Sequence, residues 1–299
     1  MSQGEIGNCW FISAASALAE KKGRMESVFL NNEVSANGIY GVNFYTLGVP
    51  HTVIVDDYLP LLKEGDGNTT NGAKVGTDGS LWPTILEKAF AKYHGNYSHM
   101  VGGDPQMAVK TLYGAPAKFF DNSKNTADQI WKEIKAAKTR GDVILTGTHA
   151  QGSRKNGENL WNGLSIMHAY TVLGPQVLTD EAGNEIKLIK MRNPWGAEDY
   201  DGAYSDKSSL WTDALRNQAG SVIANDGEFF IPLADYKKSF VETQINYNTE
   251  AMSRSVFLVL DDASTETRQG EMCQGTCSYH KFTIKSKETQ GVHMRVSTW

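Results

Sequence analysis

The sequence predicts an α+β protein with a helical half that carries a cysteine, a strand-rich half that carries histidines, and the beginning of a β-sandwich after them. Three observations predict this. Apolar residues recur at helical spacing in segments of the first 140 positions, β-branched and aromatic runs dominate the following hundred, and glycine and proline mark the passage between them. At 299 residues there is room for about two ordinary domains, each with a sizeable core.

Taken in order, Cys9 to Glu20 reads as a helix, because Phe11, Ala14, Ala15 and Leu18 repeat at spacings of three and four and Gly4 and Gly7 stay in the loop before it. GIYGVNFYTLG and HTVIVDDYLP read as paired strands. Glu64 to Ser80 is polar and glycine-rich, a long mobile loop. LWPTILEKAFAKYHGNY is a second helix, with Pro83 in its first turn, an apolar stripe of Ile85, Leu86, Ala89, Phe90 and Tyr93, and Gly95 beyond its end. GGDPQMAVKTLYGAP leads to a boundary at Gly114 and Pro116. TADQIWKEIKAAKTRG is a third helix, capped by Thr126 and stopped by Gly141. Strands follow in DVILTGTH, SIMHAYTVLG, EIKLIKMRNPW and EFFIPLADY, with a second polar loop from Ala150 to Gly163. From about Ala251 the alternating runs SVFLVLD, KFTIKS and VHMRVSTW suit a β-sandwich that is too short to be complete. The expected division is residues 1–114, 115–248 and 249–299. No internal repeat and no EF-hand calcium loop is present.

Composition narrows the function. With 29 basic and 34 acidic residues the formal charge is −5, so no basic field is available to hold a nucleic-acid backbone. The three cysteines, Cys9, Cys273 and Cys277, do not make a disulfide framework and suit a reducing compartment. No apolar run approaches the roughly 18 to 20 residues of a spanning helix, and no signal peptide is recognisable. A cytoplasmic protein is expected, in which the sequons at Asn68 and Asn96 would be silent. Cys273, Cys277 and His280 form C-x3-C-x2-H, three zinc ligands at most. Structural sites need four, so an ordinary sandwich loop is the better reading.

Cys9 carries the chemistry. A thiol at a helix N-terminus meets the positive end of the dipole and unpaired N–H groups, both of which favour the thiolate. A cysteine nucleophile also needs an imidazole, and the imidazole needs a third group to orient it. Of seven histidines, His168 is distinguished by its place at the start of an apolar strand, where its ring would be held rigidly while facing a cleft. The strand expected to pair with it ends KMRNPWG, offering Asn193 as orienter, Pro194 as stiffener and Trp195 as a cover against water. Gln3 could donate to an oxyanion beside the Cys9 N–H. Taken singly, a cysteine opening an apolar helix is more often an inert core residue.

QGEIGNCWFISA, SIMHAYTVLG and MRNPWG resemble, in order and separation, the three catalytic segments of calpains, the calcium-dependent cytosolic cysteine proteases. VIVDDYLP, SLWPTILEKAFAKYHGNY and NDGEFFIPLADYKKSF are similar to the same family. The likeness runs from Ser2 to about Phe240 and continues weakly into a C2-like sandwich. It implies a papain-like core of two subdomains, with Cys9 as nucleophile, His168 as general acid and base, Asn193 as orienter, Gln3 as oxyanion donor and Trp195 as shield. It also implies limited cleavage of protein substrates bound as extended peptides, and calcium bound in each half. The second-half ligands carried over are Asp199, Asp206, Asp226 and Glu228, oxygen donors suited to a hard cation.

Two departures accompany the resemblance. The first-half calcium site lacks its upstream acid and has Lys110 where the family has an acidic ligand, and Asn8 stands where the family usually has aspartate. The loops Glu64–Ser80 and Ala150–Gly163 fall where calpains have gating loops. The sequence begins just before Gln3 and ends within the sandwich pattern, so further regulatory segments are expected in its parent. The competing readings are an inactive calpain-fold adaptor and another acyl-transfer enzyme such as a transglutaminase. The intact Cys9, His168 and Asn193 argue against the first, and the glutamine motif and RNPWG against the second.

Overall fold

The computed structural model describes residues 1–46, 48–64, 67–148, 158–251, 264–270 and 273–279, with residue 251 and the last two stretches as backbone. It is an α+β structure. In order along the sequence the elements are α1 (Cys9–Ala19), β1 (Ile39–Thr46), β2 (Val49–Asp56), β3 (Leu61–Glu64), β4 (Gly67–Thr70), α2 (Trp82–Tyr93), α3 (Pro105–Tyr113), β5 (Ala117–Asp121), α4 (Ala127–Arg140), β6 (Val143–Gly147), β7 (Ala169–Thr179), β8 (Glu185–Arg192), α5 (Asp213–Ala219), β9 (Glu228–Pro232), α6 (Leu233–Ser239), β10 (Glu242–Asn246), β11 (Ser264–Gly270) and β12 (Cys273–Tyr279). Residues 1–251 pack as one compact unit. The described part beyond it is the antiparallel hairpin of β11 and β12.

Helix α1 is apolar on every side, and every residue from Trp10 to Leu18 is buried. A helix of that character belongs inside a core. The core it occupies gathers α1, α2, α3, β1 and β2 together with Val143, Leu145 and Ala169 of β6 and β7. Phe11 stacks on Phe90 at 4.2 Å between ring centroids, and neither ring is exposed. Burial of each such ring stabilises the fold by on the order of 2–3 kcal/mol. A second core lies between α4, α6 and the larger sheet, around Ile134, Tyr170, Phe229 and Tyr236.

That sheet has six antiparallel strands in the order β5-β10-β6-β7-β8-β9. Two register facts position the site. Gly147 pairs with Ala169, which sets Thr148 beside His168 just beyond the end of the β6–β7 pairing. Thr171 pairs with Arg192, which brings Asn193 to the same end of the sheet as His168.

Most expected elements form, and their caps explain their ends. Thr126 and Gln129 make a reciprocal capping box at α4, and Gly141 closes it at φ 75°. One element is added and three expectations are corrected. Within GGDPQMAVKTLYG, to which the sequence assigns no element, Pro105–Tyr113 is helical, because Asp104 caps α3, Pro105 opens it, and Ala108, Val109 and Leu112 supply a buried stripe. EFFIPLADY is strand only to Pro232, after which α6 begins. Glu64–Ser80 is not simply a loop, since β4 pairs with β3 and Gly72 and Ala73 are buried. Cys273 and Cys277 lie in strand β12 rather than a loop. The expected strands SVFLVLD, KFTIKS and VHMRVSTW, His149, His280 and positions 150–157 of the second loop lie outside the described residues.

Candidate active site

The approach to Cys9 is held between two loops. Gln3 N–H donates to Pro194 O at 2.8 Å, Glu5 N–H to Asn71 O at 2.9 Å, and Lys74 N–H to Ser2 O at 2.8 Å. Gly4 permits this closeness, because a Cβ there would stand 2.0 Å from the backbone oxygen of Gly72. Gly4→Ala is therefore expected to push residues 2–6 off the 71–73 loop, lowering stability by about 1–3 kcal/mol. By displacing Gln3 it should also slow turnover by about 10-fold or more. Thermal unfolding and turnover measured on the same preparation check both, and an unchanged melting curve would show that the loop yields freely.

Gln3 is buried, and its Nε2 donates to Ile6 O at 2.7 Å, leaving a second hydrogen for another acceptor. Asn8 is wholly buried and donates through Nδ2 to Glu87 Oε1 at 2.7 Å, while Ala73 N–H donates to Glu87 Oε2 at 2.8 Å. Burial pushes the Glu87 carboxyl up, against the pull of these two donors. An aspartate at position 8 would set a second carboxylate against Glu87, whereas asparagine supplies a donor. The motifs do not reveal Glu87, because it falls off the apolar stripe of α2. No pattern in the sequence marks it, since its burial beside Thr84 and Ala91 is a property of the fold.

Cys9 is a free, half-buried thiol. Burial raises its pKa, opposed by the backbone N–H groups of Ala169, Trp10 and Cys9 itself. Desolvation of the thiolate thus opposes the favour that the helix end and these donors give it. Well below such a raised pKa, the thiolate fraction grows about tenfold per pH unit. Alkylation of Cys9 by iodoacetamide, followed on its own peptide by mass spectrometry, is expected to accelerate steadily from about pH 6 to pH 9. A rate already level across about pH 5 to 7 would mean that the thiolate is formed in the resting state.

His168 is buried, and its Nε2 lies 2.9 Å from Asn193 Oδ1. The Trp195 backbone N–H also donates to that Oδ1, at 3.0 Å, which identifies the atom as the amide oxygen. Nε2 therefore carries the hydrogen and Nδ1 is left as the basic nitrogen. The Trp195 ring covers the imidazole at 4.4 Å between centroids, and Tyr170 meets it edge-on at 4.8 Å. Burial lowers the His168 pKa, opposed by the Asn193 bond and the charge of Asp199. Thr148, which no sequence motif singles out, anchors the turn: its Oγ1 donates to Ser165 O at 2.6 Å and accepts from His168 N–H at 3.1 Å.

The four carboxylates expected to hold calcium are differently engaged. Asp199 Oδ2 accepts from Tyr170 Oη at 2.5 Å and Ser165 N–H at 3.1 Å, and its Oδ1 is buried without a partner. Asp206 is buried and accepts from Ala224 N–H at 2.9 Å. Asp226 is exposed and accepts from Glu228 N–H. Glu228 pairs with Lys190 at 2.5 Å and with Arg192, which also reaches Glu20. Among the described residues no three His, Cys, Asp or Glu side chains converge as a metal site. As arranged, this set does not fit a calcium ion.

Comparison with known proteins gives consistent relatives. Calpain clp-4 of Caenorhabditis elegans is 27% identical over 279 residues, covering 91% of this chain and 38% of that protein. Calpain-type cysteine protease DEK1 of Zea mays is 31% identical over 246 residues, 80% of this chain and 11% of the relative. Calpain-1 catalytic subunit of Macaca fascicularis is 29% identical over 261 residues, 85% and 36% respectively. The chain spans well under half the length of these relatives. A crystal structure of SERA5E from Plasmodium falciparum aligns at 14% identity and a TM-score of 0.25, over 44% of this chain and 45% of that one, too slight a likeness to carry an argument. The family model described as calpain family cysteine protease (Peptidase_C2) matches residues 1–247, and the chain belongs to that family.

Proposed function

We propose that the protein is an endopeptidase that cleaves intracellular proteins at mobile segments through Cys9, His168 and Asn193. The observation that carries this reading is the His168–Asn193 hydrogen bond under the Trp195 ring, with Cys9 packed against the core that includes Ala169, the residue after His168. In the proposed cycle, Nδ1 of His168 takes the thiol proton and the sulfur attacks the substrate carbonyl carbon. The resulting oxyanion accepts hydrogen bonds from Cys9 N–H and the second hydrogen of Gln3 Nε2. The imidazolium then protonates the leaving amine, and the same ring activates the water that releases the acyl group. Asn193 holds the ring in the required tautomer and Trp195 keeps water from that bond.

The domain reading proposed with it is a papain-like core of residues 1–114 and 115–248, with residues 249–299 opening a C2-like sandwich. Loops 64–80 and 150–163 are proposed to border the cleft, which the bonds between Asn71 and Glu5 and between Lys74 and Ser2 support for the first. Calcium control by Asp199, Asp206, Asp226 and Glu228 would require Glu228 to leave Lys190 and Arg192, and Asp199 to leave Tyr170. Calcium titration of cleavage of an unfolded protein tests the reading. Cleavage abolished by chelator supports calcium control. Cleavage indifferent to chelator removes calcium from the reading and leaves the peptidase.

A further inference from the structure

We propose that Met167 is a specificity-determining residue that touches the substrate residue immediately following the scissile bond and selects an apolar side group there. The inference rests on the peptidase reading above. Among the described residues only Met167 and Tyr204 combine a side chain with a positive φ, at 52° and 62°. Such a backbone suits glycine and is strained for other residues. Tyr204 has a packing reason, since its ring meets Trp211 edge-on at 5.1 Å. Met167 has none of that kind: it is 55% exposed, whereas Leu164 and Ile166 of the same turn are buried.

The strain is imposed from outside the residue. Thr148 holds the backbone on both sides of Met167, through Ser165 O and through both the N–H and the O of His168, and Asp199 holds Ser165 N–H. A conformation so over-determined beside a reacting group points to function. The chemistry says which part of the substrate is near. His168 delivers its proton to the leaving amine, so the departing half of the substrate, which begins at that amine, passes along the imidazole. The Trp195 ring lies tilted over that imidazole and is 40% exposed, Tyr170 meets it edge-on from the buried side, and the exposed Met167 immediately precedes His168 along the chain. Met167 and Trp195 both offer apolar surface. A flexible, polarisable thioether adapts to apolar groups of varied shape.

The test is cleavage of a proteome-derived peptide mixture, with the cut sites read by mass spectrometry, for the parent protein and for Met167→Gly, Met167→Leu and Met167→Glu. The parent is expected to favour Leu, Met and Phe just after the cut. Met167→Gly should keep its thermal stability, because glycine takes a positive φ without strain. It should lower the kcat/KM ratio of Leu over Ser at that position by about 5- to 10-fold, with the preference before the cut unchanged. Met167→Leu should retain the ratio, and Met167→Glu should shift the preference towards Lys and Arg. An unchanged ratio in Met167→Gly, or an equal loss on all peptides, overturns the assignment of Met167 and leaves the peptidase standing. No cleavage by the parent overturns both.

Discussion

Cys9→Ala is expected to abolish cleavage of an unfolded protein, lowering turnover by at least about 10³-fold, while the protein still folds. The two halves of that expectation come from different features. Turnover is lost because no other described cysteine side chain lies beside His168 and Ala169, and the hydroxyls nearby are committed: Thr148 Oγ1 to Ser165 O, and Thr171 Oγ1 to Ser13 O at 2.9 Å. Folding survives because the change removes a single half-buried sulfur and leaves the Cβ at the head of a helix otherwise held by Trp10 to Leu18. The stability change should stay within about 1 kcal/mol. Turnover and thermal unfolding measured side by side decide it. Residual cleavage within about tenfold of the parent would place the nucleophile elsewhere and overturn the mechanism.

Asn193→Ala should reduce kcat by about 10²- to 10⁴-fold. Asn193 Oδ1 accepts from both His168 Nε2 and Trp195 N–H, so its removal deprives two donors at once. With the acceptor gone, the imidazole is free to carry its hydrogen on Nδ1, the nitrogen that must receive the thiol proton. Leaving buried donors unpaired also costs about 1–3 kcal/mol each, so the melting temperature should fall as well. Asn193→Asp separates the two effects. Aspartate keeps the acceptor and adds charge beside the ring, so part of kcat should return and the acid limb of the pH–rate profile should move to higher pH, because a neighbouring anion favours the imidazolium. Full activity in Asn193→Ala would show that the orientation of His168 is set by the Trp195 and Tyr170 rings alone.

Much of the fold is legible where its causes are local. The stripe of α1, the proline at the start of α2 and the capping box of α4 are written within a few residues of each element, and each helix forms where those signals lie. Helix α3 is obscured because glycines on both sides and a weak polar stripe hide its Asp104 cap, and Pro232 reads as part of a strand although it ends one. Of the proposed site, the sequence supplies Cys9, His168, Asn193, Trp195 and Gln3 through three short motifs. Thr148, Tyr170 and Glu87 are not legible. Each acts across 5 to 79 positions of sequence on a residue to which no local pattern ties it.

The sequence by itself determined family membership, the residue types of the proposed site and the order in which they come forward, because motif and periodicity are properties of neighbours along the polypeptide. The tertiary structure alone decided how those groups are charged and paired. It raises the Cys9 thiol by burying it, matches Asn8 to a carboxyl 79 positions away, and engages Glu228 with Lys190 and Arg192 and Asp199 with Tyr170. Desolvation and ion pairing depend on distance through space, and only folding brings those distances into being.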